Sequence, residues 1–92
     1  MPYSKEVVDA LKKAPKTLGT QLGRWAIHLD LPITKLAKAT GATRMTMYNW
    51  FAGGTVTHGY RERVGEVLSV LRSCSTKEEA WRKLCQQYHL KG

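Results

Sequence analysis

Apolar residues recur along the chain at three- and four-residue intervals in successive stretches, separated by short runs rich in Pro, Gly, Thr and Ser. That is the period of an α-helix with one buried face, so the pattern predicts an all-α fold, a compact bundle of five to six short helices. The first stretch carries Val7, Val8 and Leu11, with Ser4 placed to cap it and Pro15 to end it. Thr17 opens the next, in which Leu18, Leu22, Trp25, Ala26 and Leu29 form the apolar stripe. Gly19 and Gly23 lie one turn apart in it, and each costs about 1 kcal/mol relative to Ala in a helix interior; their presence predicts close approach by another helix. Farther on, Ala52 to Thr57 reads as a loop. Thr57 caps the helix after it, where Tyr60, Val64, Val67, Leu68 and Leu71 give the buried face. A last stripe, Trp81, Leu84, Cys85 and Tyr88, follows two overlapping capping-box spacings, Ser75 to Glu78 and Thr76 to Glu79.

The segment from Ile33 to Trp50 organises the rest. Its apolar spacing, Ile33, Leu36, Ala37 and Thr40, stops at Gly41 and restarts at once. Gly41 stands where a helix end calls for positive φ, and Thr43 offers a hydroxyl to the free amides of a new helix. In that second helix, about Arg44 to Ala52, Met47, Trp50 and Phe51 form the buried ridge. A 100° wheel leaves Met45 and Asn49 facing away, with Tyr48 and Thr46 on the flanks and Arg44 near the edge of the ridge. Between Ile33 and Gly54 there is no acidic residue, but there are Lys35, Lys38 and Arg44. Two helices about a tight turn, the second with a buried ridge and a polar, cationic outer face, form a pattern suited to the major groove of DNA.

This segment resembles the helix-turn-helix of the lambda-repressor-like (Cro-type) family of small DNA-binding domains. The likeness spans roughly Leu18 to Leu71 and is carried by Leu36 and Ala37, the turn Gly41 and Ala42, the helix start Thr43 and Arg44, and Met47, Trp50, Phe51 and Gly53. The chain departs from the family at Pro32 and Ile33, where many members have Ser and Gln, and at Thr40, where the family tends to have an apolar residue. The resemblance implies a sequence-specific transcription regulator, a repressor of the phage or plasmid type, with the second helix as recognition helix. Asn49 then suits bidentate pairing with adenine, Met45 a thymine methyl, Arg44 a guanine or a phosphate, and Tyr48 either base or backbone. Lys35 and Lys38 lie on the helix that crosses the DNA backbone in this motif, so with Thr43 and Thr46 they are candidate phosphate contacts. Thr55, Thr57, His58 and Arg61 resemble the family's positions at the loop and helix start that rest on the backbone. For Thr57 and Arg61 the alternatives are a plain cap and a solvated charge.

Charge supports a polyanionic partner. The 92 residues carry 15 Lys and Arg against 7 Asp and Glu, a net charge of +8. Eight of those cations but only one acid, Asp30, fall between Lys12 and Arg61, which points to nucleic acid. Lys12, Lys13 and Lys16 cluster where the first helix ends, suited either to the negative end of its dipole or to phosphate. The expected partners are double-stranded DNA with an inverted-repeat operator and a second copy of the chain, because one recognition helix reads only a few base pairs. Trp81, Leu84 and Tyr88 are the candidate dimer seam, the alternative being burial on the protein's own core. The length suits a single domain, with residues 1–16 an N-terminal extension helix, 17–72 the core and 73–92 the C-terminal helix. No membrane segment or signal peptide is legible, so the expected location is the cytoplasm, where Cys74 and Cys85 stay thiols. Neither catalytic residues, nor a cofactor or small-molecule site, nor metal-ligand spacing is expected. The competing reading is a helix-turn-helix module used for protein contact or RNA binding.

Overall fold

The computed structural model describes residues 3–90. Among them are six helices and no strand: α1 (Lys5–Lys13), α2 (Leu18–Leu29), α3 (Ile33–Thr40), α4 (Arg44–Phe51), α5 (His58–Arg72) and α6 (Lys77–Tyr88). Their starts follow from the hydroxyl side chains before them. The amide of Val7 donates to Ser4 Oγ at 3.3 Å, that of Thr20 to Thr17 Oγ1 at 3.2 Å, that of Thr46 to Thr43 Oγ1 at 3.1 Å and that of Glu79 to Thr76 Oγ1 at 3.2 Å. Thr76 rather than Ser75 therefore caps α6. Thr57 departs from expectation: it occupies the cap position of α5, but its hydroxyl makes no cap hydrogen bond. Only its carbonyl serves there, accepting from the Tyr60 amide at 2.9 Å.

One core joins all six helices, with Leu11, Leu22, Leu36, Met47, Val64 and Leu84 each almost completely buried. Helix α2 is its axis, packed chiefly on α5 and then on α4. The two glycines of α2 make that approach possible. A Cβ at Gly19 would lie 2.6 Å from Trp50 Cβ, and one at Gly23 would lie 2.8 Å from the Phe51 ring. Helix α3 is gripped by α4, α5 and α6 together, and its buried set is therefore Ile33, Leu36, Ala39 and Thr40, with Ala37 only half-buried. The buried Thr40 hydroxyl is satisfied inside its own helix by donating to the Leu36 carbonyl at 3.0 Å.

Two long-range ties were not legible in the apolar pattern. Tyr3 is buried, donates to the Leu31 carbonyl at 2.8 Å and packs against Phe51 with ring centroids 6.0 Å apart. Burial raises its phenol well above the ordinary range. Arg63 on α5 donates to the Ala39 carbonyl at 2.7 Å, and its guanidinium lies 3.6 Å over the Tyr88 ring. Tyr88 in turn donates to Glu66 at 2.8 Å. The chain itself thus covers the α6 stripe. Leu84 is completely buried and so closed to a dimer seam, while Trp81 and Tyr88 are half-buried and engaged by Lys35 and Arg63.

Candidate nucleic-acid interface

The turn between α3 and α4 is three residues long and is set by Gly41, whose φ of +77° ends α3 while its amide bonds to the Ala37 carbonyl. L-residues rarely adopt that conformation. Thr43 then starts α4, and its hydroxyl also lies 3.0 Å from the Thr46 hydroxyl. One of the two protons must serve that contact, which leaves one hydroxyl donor of the pair free for a phosphate oxygen. Met47, Trp50 and Phe51 are buried, and Trp50 is held edge-on by Tyr60 at 5.3 Å. With the ridge fixed in this way, Arg44, Met45, Tyr48 and Asn49 are the exposed side chains of the helix. Met45 is 75% exposed and Tyr48 43%, the exposed large apolar side chains among the described residues.

The exit of α4 is equally constrained. The Gly54 amide donates to the Asn49 carbonyl at 2.8 Å, and a Cβ at Gly54 would lie 2.7 Å from that oxygen. Asn49 thus has its main chain fixed while its side-chain amide is exposed and forms no hydrogen bond within the described residues. Gly53 has φ +99° and lies against Pro15, whose Cδ would be 3.2 Å from an added Cβ. Thr55, Thr57, His58 and Arg61 are all exposed. Thr55 and Arg61 meet Thr17, Leu18 and Val56 around a cleft of about 310 Å³.

The sequence-derived set does not all gather in one place. Lys38 is exposed on α3, but Lys35 is half-buried with its ammonium 5.3 Å above the Trp81 ring. It shares a cleft with Leu31, Pro32, Lys77, Glu78, Trp81 and Arg82 and is committed to α6, unlike the freely exposed Lys38. Tyr48 lies on the side of α4 that faces α1, beside Glu6, Val7 and Ala10. Residues that bear on the site but were missed by sequence reasoning are Arg63, which fixes the end of α3 through the Ala39 carbonyl, and Pro15, which seats the α4 exit. Helical periodicity says nothing of an arginine whose acceptor lies 24 residues away.

Comparison with protein-family models, with curated proteins and with solved structures gave no match to this chain. Among the described residues no helix is long and apolar enough to cross a membrane, and no group of three or more His, Cys, Asp and Glu side chains gathers as a metal site. Cys74 and Cys85 are free thiols.

Proposed function

We propose that the chain is a sequence-specific double-stranded DNA-binding protein that reads the major groove with the outer face of α4. The observation that carries this reading is that face itself. Arg44, Met45, Tyr48 and Asn49 stand exposed side by side over a completely buried ridge, in a segment from Ile33 to Gly54 that has no carboxylate. Asn49 offers a paired donor and acceptor to adenine, Met45 an apolar tip to a thymine methyl, and Arg44 a fork to guanine or phosphate. Tyr48, on the α1 side of the helix, can reach base edge or backbone. Lys38, the Thr43–Thr46 hydroxyl pair, Thr55, Thr57, His58 and Arg61 supply the contacts that set register on the phosphates.

The biological role we assign is transcriptional regulation of the repressor kind, in the cytoplasm, by a homodimer on an inverted repeat with half-sites about one helical turn apart. Because α6 buries Leu84, two-fold contact must use other surfaces or only the exposed edges of Trp81 and Tyr88. Selection of bound sequences from a random duplex pool tests the reading. An enriched, two-fold symmetric site is the expected result. Enrichment of single-stranded RNA over duplex, or no enrichment at all, would overturn it.

A further inference from the structure

The segment Leu11 to Lys16, where α1 ends, is held at three points. Arg24 on α2 donates to the Leu11 carbonyl at 3.1 Å, and the completely buried Thr20 hydroxyl donates to the Pro15 carbonyl at 2.8 Å. The Pro15 ring lies against Gly53 at the exit of α4. Lys12, Lys13 and Lys16 thus project from a fixed backbone, all three exposed, and none forms an ion pair among the described residues. They do not share one surroundings. Lys12 lines a groove of about 350 Å³ with Val8, Leu11, Arg24 and Ile27, between α1 and α2. Lys13 and Lys16 instead flank Ala14 and Pro15, the residues that touch Gly53. Lys16 also adjoins Thr17, which lines the cleft shared by Thr55 and Arg61. The negative end of the α1 dipole favours the cations in the last turn of the helix, Lys12 and Lys13, whereas Lys16 lies beyond the helix.

We infer that Lys13 and Lys16 join Thr55 and Arg61 in one patch that grips the phosphate backbone of the duplex beside the exit of α4, so that α1 is a second arm of the DNA interface. This rests on the reading that α4 binds DNA. The patch binds a row of phosphates and reads no sequence, since ammonium groups on flexible stems act as point charges. Because its backbone is already fixed, contact costs little more than side-chain freedom.

The test uses the full chain, a duplex carrying its selected site and an equal-length scrambled duplex, with affinity measured across a salt series. Two lost phosphate contacts lower the log–log salt slope by about 1.8 and weaken binding about 60-fold at 0.1 M salt relative to a 1 M reference. Lys13→Gln/Lys16→Gln is expected to do this on both duplexes alike, and Lys13→Arg/Lys16→Arg to restore it. Lys12→Gln, on the rim of the α1–α2 groove rather than beside the α4 exit, is expected to leave the slope near the wild-type value. Ethylation interference should lose a defined subset of the phosphates in the double Gln variant. An unchanged slope overturns the inference, as does a change in slope with an unaltered ethylation pattern or an equal loss per charge in Lys12→Gln. Failure of the wild-type chain to bind any duplex would remove the proposed function instead, and is distinguishable because it precedes any comparison of variants.

Discussion

Replacing a helical glycine by alanine should move stability in opposite directions at Gly19 and Gly65, and the structure says by how much. At Gly65, inside α5, an added Cβ meets nothing within 4 Å. The helix then keeps the intrinsic advantage of Ala, about 0.5 to 1 kcal/mol. At Gly19 the same Cβ would lie 2.6 Å from Trp50 Cβ, 3.0 Å from the Trp50 carbonyl oxygen and 3.2 Å from its Cα. Carbon atoms pack best at about 3.5 to 4.0 Å, so α2 and α4 must part by roughly 1 Å. Overpacking of this kind costs about 1 to 3 kcal/mol. The obstacle is the Trp50 main chain and the Cβ fixed to it, which no rotamer change moves, so after the gain in helix propensity a net loss of up to about 2 kcal/mol remains. Gly23 falls between, because there the Cβ meets the Phe51 ring and the tip of Leu11, which can shift. Thermal melts by circular dichroism should rank Gly65→Ala above the parent, then Gly23→Ala, then Gly19→Ala. About 1 kcal/mol corresponds to some 4 to 8 °C in a domain of this size. On the proposed function, Gly19→Ala should also weaken DNA binding well below its melting temperature, since Trp50 belongs to the helix proposed to read the groove. A Gly19→Ala protein as stable as the parent would refute the claim that α2 fixes the seat of α4.

Other expectations concern reading, anchoring and pH. Asn49→Ala should cost about 1 to 3 kcal/mol on the selected site and little on a scrambled duplex, whereas Lys38→Ala should weaken both alike and lower the salt slope by roughly one; equal losses from Asn49→Ala on the two duplexes would show the face to be wrongly assigned. The Tyr88 phenol is pushed up to about 12, first by burial and then by its bond to Glu66. Its folded value thus lies above the unfolded one, so its contribution is complete below pH of about 10 and is lost as pH rises toward about 12. Melts between those limits should fall more steeply for the parent than for Tyr88→Phe, and parallel curves would count against the Tyr88–Glu66 bond.

What the sequence disclosed and what it withheld divide along a physical line. Properties set within one helix or turn could be read: the positive φ at Gly41, the ridge of Met47, Trp50 and Phe51 with Asn49 opposite, and the small-residue face of α2. Properties set by partners far along the chain could not. Ala39 rather than Ala37 faces inward because α3 is packed on α4, α5 and α6, and a wheel drawn for one neighbour misplaces the stripe. Lys35 looked free until α6 brought Trp81 beneath it. The hydroxyl of Thr57 was expected to cap by residue type alone, and local geometry left it without that bond.

Tyr3 ties the start of α1 to a distant corner of the fold. Its bond to the Leu31 carbonyl closes a loop across 28 residues, whereas α3 and α4 meet across a single short turn. The entropy of closing a chain grows with the length enclosed, so holding α1 at Tyr3 costs more than bringing α3 and α4 together. Helix α1 is thus a strap across the core, tied at Tyr3 and again at Pro15. If α4 reads DNA as proposed, a molecule whose strap has come loose would lose the lysines beside α4, giving weaker but equally selective binding.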